Sequence, residues 1–238
     1  MEYLIVLIGC IITIAILYVV FEVNIKEIKK VGKNEKLDEL TKKFPENEEI
    51  CKDILKKLKN ENVKVVQNEN RENKTSLYIA ISNTIFIANI KDTYTRIQTI
   101  AHECLHSIQS RKMLLFNFFY SNFYLIYFVI ATVLTVFGII KNYYLSSVIL
   151  ILLSYIYYAI RSYLETDAMT KARYVAEDYM KEYIKKNKIC EEKEIEELCE
   201  QYDRINKIGI PATNYVIFFN CFVKVVIYVA IALIKSII

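Results

Sequence analysis

The sequence predicts a mainly α-helical integral membrane protein with about four transmembrane helices and a small α+β domain in the cytoplasm. Apolar residues make up 54% of the 238-residue chain. They are concentrated in four runs, at 3–21, 114–140, 143–160 and 215–234. Each run is close to the ~20 apolar residues that cross a bilayer as a helix. The chain has only four Gly and two Pro, so few residues interrupt long helices.

The distribution of basic residues predicts the orientation of these spans. Of the 31 Lys and Arg residues, all but Lys141, Lys224 and Lys235 lie in two polar segments between the spans. Basic residues beside transmembrane helices stay in the cytoplasm. We therefore expect a multi-pass protein of the cell membrane whose site faces the cytoplasm. The predicted parts are a transmembrane helix (1–21), a cytoplasmic part (22–112), a transmembrane hairpin (113–160), a cytoplasmic helical part (161–210) and a last transmembrane helix (211–238).

The first polar segment changes character along its length. Residues 22–43 are charged and helix-prone, and they predict a helical extension of the first span. A second short helix is predicted over 48–60. The β-branched stretch 63–67 and the stretch 76–90, which is rich in Ile, Tyr and Phe, predict two or three strands. The polar stretch 68–73 predicts a turn between them.

A helix that is capped by Asp92 or Thr93 is predicted to follow the strands. Its apolar residues share one face: Ile97, Ile100, Ala101, Cys104 and Ile108. Its polar residues lie on a different face: Gln98, His102, His106 and Gln109. Further helices are predicted from 164 to about 189 and over 191–206, and Gly209 and Pro211 are expected to separate the latter from the last span.

His102 and His106 are the only histidines of the chain. Residues four apart lie on the same face of a helix, so the two imidazoles can bind one metal ion. Glu103 lies between them, at the position of a general base that acts on metal-bound water. This pattern predicts a catalytic site with one Zn²⁺ ion. Such sites have three protein ligands and one open position.

The third ligand must be a carboxylate or a cysteine, because no other histidine exists. The predicted hairpin returns the chain to the side that it left, so residues just after 160 come back beside residues just before 113. Glu165 and Asp167 are the first acidic residues after the hairpin. Glu165 is the predicted ligand, and Asp167 is the alternative ligand or the hydrogen-bond partner of a ligand imidazole. The six cysteines form no C-x-x-C pair, which argues against a cysteine-ligated zinc site.

Two stretches of the chain resemble a known family. Residues 101–109 read Ala-His-Glu-Cys-Leu-His-Ser-Ile-Gln, and residues 165–168 read Glu-Thr-Asp-Ala. Both are similar to the sites of the bacterial membrane-bound neutral zinc metallopeptidases, which order their elements as a first span, a His-Glu-x-x-His-x-Ile-Gln helix, a transmembrane hairpin, a Glu-x-Asp-Ala stretch and a last span. The chain departs from that pattern at Leu105, where the family usually has Gly, and at Cys104, where a small aliphatic residue is usual. The resemblance implies a gluzincin-like, and so zincin-like, cytoplasmic part with Glu165 as the third ligand.

The resemblance implies a membrane-anchored zinc metallopeptidase that hydrolyses peptide bonds. Its expected partners are the lipid bilayer and a peptide or membrane-protein substrate. Nucleic acid is not expected, because acidic residues alternate with the basic ones. The sequence makes no prediction of an oligomeric state. At ~1.5 Å per helical residue, His106 and Glu165 are expected within roughly 10 Å of the hydrocarbon boundary.

Other functions are less well supported by the residues. The alternative function is a catalytically inactive membrane adaptor that retains the zinc site. A transporter is disfavoured because the spans, apart from Lys224, lack the buried charges and broken helices of a substrate path. In a peptidase, both histidines would bind zinc, so an Arg or Tyr is expected to stabilise the oxyanion. The candidates are Arg161, Tyr163, Arg173 and Tyr174.

Overall fold

The computed structural model describes residues 2–67 and 75–237, and most of these residues are helical. The helices within these ranges are α1 (Glu2–Val20), α2 (Ile25–Val31), α3 (Glu35–Lys42), α4 (Asn47–Lys57), α5 (Arg96–Ile108), α6 (Arg111–Val136), α7 (Tyr143–Asn187) and α8 (Glu192–Ile237). The strands are β1 (Lys64–Gln67), β2 (Leu77–Ile79) and β3 (Thr84–Ile87). The chain divides into two compact units, which are described separately below.

The first unit contains the apolar runs, as Met1–Val23, Phe116–Tyr163 and Pro211–Ile238. Among the described residues, three helices are long and apolar enough to cross a membrane, namely α6, α7 and α8. This finding confirms the prediction of a mainly helical protein, and the length and composition of the three helices agree with a membrane protein. The first predicted span coincides with α1, in which Ile11–Val20 forms a shorter apolar helix. A total of four spans therefore stays a prediction.

Hydrogen bonds between polar side chains connect the helices of the first unit. The Ser154 hydroxyl of α7 donates to the Tyr124 hydroxyl of α6 at 2.9 Å. The Thr135 hydroxyl of α6 donates to the Tyr228 hydroxyl of α8 at 3.2 Å. Bonds of this kind contribute about 0.6 kcal/mol each on average between membrane helices. They fix the rotation of otherwise apolar helices against one another.

The second unit contains Asn24–Leu115 and Leu164–Ile210. Its sheet has the strand order β1-β3-β2, in which β1 runs parallel and β2 antiparallel to β3. Ile85 of the central strand pairs with Val65 on one side and Tyr78 on the other. The sheet confirms the predicted small β element, and the predicted turn at 68–73 lies outside the described residues.

The segment 22–43 is not the continuous helix that the sequence predicted. It forms two short helices, α2 and α3, because asparagine side chains start each of them. The Asn24 side chain accepts a hydrogen bond from the backbone N–H of Glu27, and the Asn34 side chain accepts one from Leu37. Asparagine is among the best N-cap residues, and two such caps outweigh the helix propensity of the charged residues between them.

Two other predicted boundaries differ from the structure. The N-cap of helix α5 is Thr95, rather than Asp92 or Thr93, and the Thr93 hydroxyl instead donates to the carbonyl of Ile90. Helix α8 continues through Pro211, where the sequence predicted a break. A proline inside a helix removes one backbone hydrogen bond, and this loss does not prevent a helix of this length from continuing. The boundary between the two units falls at this residue.

Candidate metal centre

Helix α5 presents one apolar face to the core of the second unit. Ile97, Ile100, Ala101 and Cys104 are fully buried, as the apolar stripe predicted. Ile108, which was assigned to the same stripe, is 46% exposed because it is the last residue of α5. The well-packed face makes α5 a rigid support for the side chains on its other face.

The two histidines point their Nε2 atoms at each other from successive turns of α5. These atoms lie 3.0 Å apart. The side chains of His102 and His106 are only 17% and 10% exposed. This approach places two nitrogen atoms that can act as metal ligands side by side.

Glu165 from α7 completes a three-residue cluster with these histidines. Its Oε2 atom lies 3.3 Å from Nε2 of His102 and 3.7 Å from Nε2 of His106. All three ligand atoms lie within 4.8 Å of one another. In a tetrahedral zinc site, ligand atoms about 2.1 Å from the metal are roughly 3.4 Å apart. The separations of the three donors therefore fit one zinc ion, with a fourth position left for water or substrate.

Asp167, the alternative ligand, has different partners. Its Oδ2 atom accepts a hydrogen bond from Nε2 of Gln109 at 3.0 Å, and its Oδ1 atom forms an ion pair with Lys171 at 2.5 Å. These contacts lower the pKa of Asp167, the hydrogen bond from Lys171 being the largest cause. The side chain that contacts a ligand imidazole is instead Gln109, whose Oε1 lies 2.9 Å from Nδ1 of His106.

Glu103 lies on α5 between the two histidines and is only 6% exposed. Its carboxylate accepts a hydrogen bond from the backbone N–H of Tyr78 in strand β2. Burial raises the pKa of Glu103, while the charges of His102 and His106 act in the opposite direction. A carboxylate with a raised pKa is a stronger base, which suits a group that must accept a proton.

His106 also has a perturbed pKa. Burial alone would lower it, but the hydrogen bond and the charge of Glu165 raise the pKa of His106 above its usual value. A metal ion that binds to His106 therefore competes with protonation of this imidazole. Such competition is general for metal sites built from titratable ligands.

The four residues predicted to stabilise the oxyanion differ in their partners, their exposure and the unit to which they belong. Arg173 lies eight residues beyond Glu165, which is about 12 Å along α7. Its guanidinium forms ion pairs with Glu177 and Asp203, so it links α7 to α8. Tyr174 is 61% exposed. The other two candidates, Arg161 and Tyr163, belong to the first unit.

Sequence reasoning missed two contributors to the site. The backbone N–H of Tyr78 carries no side-chain signal, so no motif reveals its contact with Glu103. Lys171 follows Asp167 by four residues, a spacing at which acidic and basic side chains pair on a helix. That spacing was a signal in the sequence for the pair of Asp167 and Lys171. No local pattern in the sequence shows that Gln109 contacts the same carboxylate.

No protein-family model matches the chain, no curated protein matches it, and no solved structure matches it. The likeness to the bacterial membrane metallopeptidases therefore rests on the residues of the two stretches given above.

The choice between Glu165 and Asp167 as third ligand leads to a measurable difference. We expect Glu165→Ala to weaken zinc binding by more than 100-fold, because it removes an atom that faces both imidazoles. Asp167→Ala should weaken binding by only about 10- to 100-fold, the range for residues that orient a ligand. Competition with a chromophoric chelator would measure both affinities. A larger loss in Asp167→Ala than in Glu165→Ala would assign the ligand to Asp167 instead.

Proposed function

We propose that the chain is a membrane-anchored zinc metallopeptidase that hydrolyses peptide bonds near the cytoplasmic surface of the membrane. The observation that carries the proposal is the convergence of His102, His106 and Glu165 around one point, with the buried Glu103 between the two histidines. Two imidazoles and one carboxylate are a donor set of catalytic zinc sites that keep one position open.

The mechanism follows from the placement of these side chains. Zinc, when bound, supplies a Lewis acid that polarises the scissile carbonyl and lowers the pKa of a water molecule. Glu103 accepts the proton of the attacking water at its carboxylate and later transfers it to the leaving amine. The N–H of Tyr78 holds the Glu103 carboxylate in place during both transfers. Burial keeps bulk water away from Glu103 and strengthens its basicity.

The membrane context supports a particular class of substrate. Three apolar helices support attachment to a bilayer, and the bias of basic residues supports a site on the cytoplasmic side. Along the sequence, His106 precedes Met113 by seven residues and Glu165 follows Ile160 by five. These short separations favour substrates that are themselves close to the membrane, such as flexible tails of membrane proteins.

The test uses the full chain, purified in detergent. We expect about one zinc per chain by metal analysis and slow hydrolysis of an unfolded protein. A chelator should abolish the hydrolysis, and added zinc should restore it. The double variant His102→Ala, His106→Ala is the matched control and should have neither zinc nor activity.

A second experiment tests which side of the membrane the site faces. Inside-out membrane vesicles should cleave the added protein, whereas right-side-out vesicles should do so only after detergent is added.

Each other outcome has a definite meaning. Zinc bound without any hydrolysis would overturn the peptidase proposal and favour the membrane adaptor. A chain without zinc would overturn both. Hydrolysis by right-side-out vesicles before detergent is added would place the site on the opposite side of the membrane.

A further inference from the structure

We propose that Gln109 is a positioning residue that selects the tautomer of His106 and connects this histidine to the segment that carries Glu165. The inference rests on the proposed zinc site and adds to it the group that orients one ligand. It is carried by the hydrogen bonds of a single amide group.

Gln109 is the C-cap residue of helix α5 and directly follows its last residue, Ile108. Its backbone is extended, with φ −63° and ψ 162°, and its N–H still bonds to the carbonyls of Leu105 and His106. The chain leaves the helix at this residue, and its partly buried side chain contacts both His106 on α5 and residues 164 and 167 on α7.

The orientation of the Gln109 amide follows from its partners on α7. Its Nε2 atom lies 2.9 Å from the carbonyl oxygen of Leu164 and 3.0 Å from Oδ2 of Asp167. A carbonyl and a carboxylate only accept hydrogen bonds, so the amide must turn its NH₂ group towards them. The two protons of that NH₂ group match the two acceptors.

The orientation of the amide determines the tautomer of His106. The remaining amide atom, Oε1 of Gln109, lies 2.9 Å from Nδ1 of His106. An amide oxygen only accepts, so Nδ1 of His106 must carry the proton. In a neutral imidazole the lone pair is then on Nε2, the atom that faces His102 and Glu165. Gln109 thus keeps the metal-binding nitrogen of His106 free of its proton.

The same amide also acts on the position of Glu165. Leu164, which accepts from Gln109, is the residue immediately before Glu165 on α7. Asp167 is held by Lys171 through an ion pair on its other oxygen. One glutamine therefore ties the end of α5 to one turn of α7, and so limits how far the ligand of α7 can move from those of α5. Ligand imidazoles commonly depend on such partners for their orientation.

The chain offers a simple spectroscopic test, because His102 and His106 are its only histidines. Full-length protein labelled with ¹⁵N-histidine and studied without metal, at a pH where the imidazoles are neutral, has only two imidazole rings to assign, each with an Nδ1 and an Nε2 signal. We expect His106 of the unaltered chain to be protonated at Nδ1. Gln109→Met, which keeps the length but removes both donor and acceptor, should lose that preference at His106. It should also bind zinc about 10- to 100-fold more weakly.

The matched control is Gln98→Met on the same helix. Gln98 is buried and donates to Asn206 of α8 at 2.8 Å, so this variant also removes a glutamine bond to another helix. We expect it to leave the His106 tautomer unchanged and to alter zinc affinity less than threefold. A rescue variant exchanges donor and acceptor between two of these residues: in Gln109→Glu, Asp167→Asn, residue 109 still accepts from His106 and residue 167 becomes the donor, while the Leu164 carbonyl loses its donor. It should restore the Nδ1 tautomer and only part of the lost affinity.

The outcomes separate this inference from the proposed function. An unchanged His106 tautomer in Gln109→Met would overturn the positioning role, as would an equal loss of zinc affinity in Gln98→Met. If Gln109→Met does not fold, the rescue variant decides: a His106 protonated at Nε2 in that variant would overturn the role. If the unaltered chain binds no zinc, the proposed function fails, yet the tautomer comparison still decides whether Gln109 positions His106.

Discussion

Replacing Glu103 with glutamine is expected to lower the rate of peptide hydrolysis by about 10²- to 10⁴-fold, the contribution usual for general acid–base catalysis. Glutamine has the same size and can still accept the hydrogen bond from the backbone N–H of Tyr78. It cannot accept a proton from water, so only the chemical step is lost. Zinc affinity should stay within about threefold of the unaltered chain, because Glu103 is not one of the three converging donors.

The measurement is a steady-state assay together with metal analysis of the same preparation. Glu197→Gln is a suitable control, because Glu197 is an exposed residue of α8 that pairs with Lys36. This variant should keep full activity and full zinc content. A Glu103→Gln variant that cleaves at the normal rate would remove Glu103 from the mechanism. A variant that loses its zinc together with its activity would show that Glu103 acts on the structure of the site.

Replacing Arg96 with methionine is expected to destabilise the second unit by about 3 kcal/mol. Arg96 is fully buried, and one of its terminal nitrogens donates to the carbonyls of Thr41, Phe44 and Pro45 at 2.8–2.9 Å. The other donates to the Asn47 side chain at 3.0 Å. Methionine leaves these acceptors buried without a donor, and each such group costs about 1–3 kcal/mol. Methionine also avoids the free-energy cost of burying the charged guanidinium, and this gain offsets part of the destabilisation.

Denaturant unfolding of the full chain in detergent would measure the change in free energy. Hydrogen exchange should localise it, with the largest increase in α3, α4 and the turn between them. Arg204→Met is the matched control, since Arg204 forms an exposed pair with Glu27 at 3.0 Å and should cost less than about 1 kcal/mol. Equal stabilities of the two variants would show that the turn does not depend on the buried guanidinium.

The local sequence pattern predicted the secondary structure correctly where a whole run of residues favours the same element. Apolar runs of span length became α6, α7 and the last part of α8, and the β-branched stretches became a sheet. The local sequence pattern gave wrong boundaries where a single capping or helix-breaking residue opposes the helix propensity of its neighbours. Asn24 and Asn34 divided the predicted helix of 22–43, and helix α8 continued through Pro211.

Some features of the candidate site could likewise be predicted from the sequence, and others are visible only in the tertiary structure. The sequence by itself determined that His102 and His106 share one helical face with Glu103 between them, because a period of 3.6 residues is a local property. Glu165 was predicted from the order of the elements, and the structure places its carboxylate beside both imidazoles. Only the tertiary structure decided that Asp167 contacts Gln109 and that Tyr78 contacts Glu103. These contacts join residues far apart in the chain, and their geometry depends on how α5, α7 and β2 pack, which no local spacing encodes.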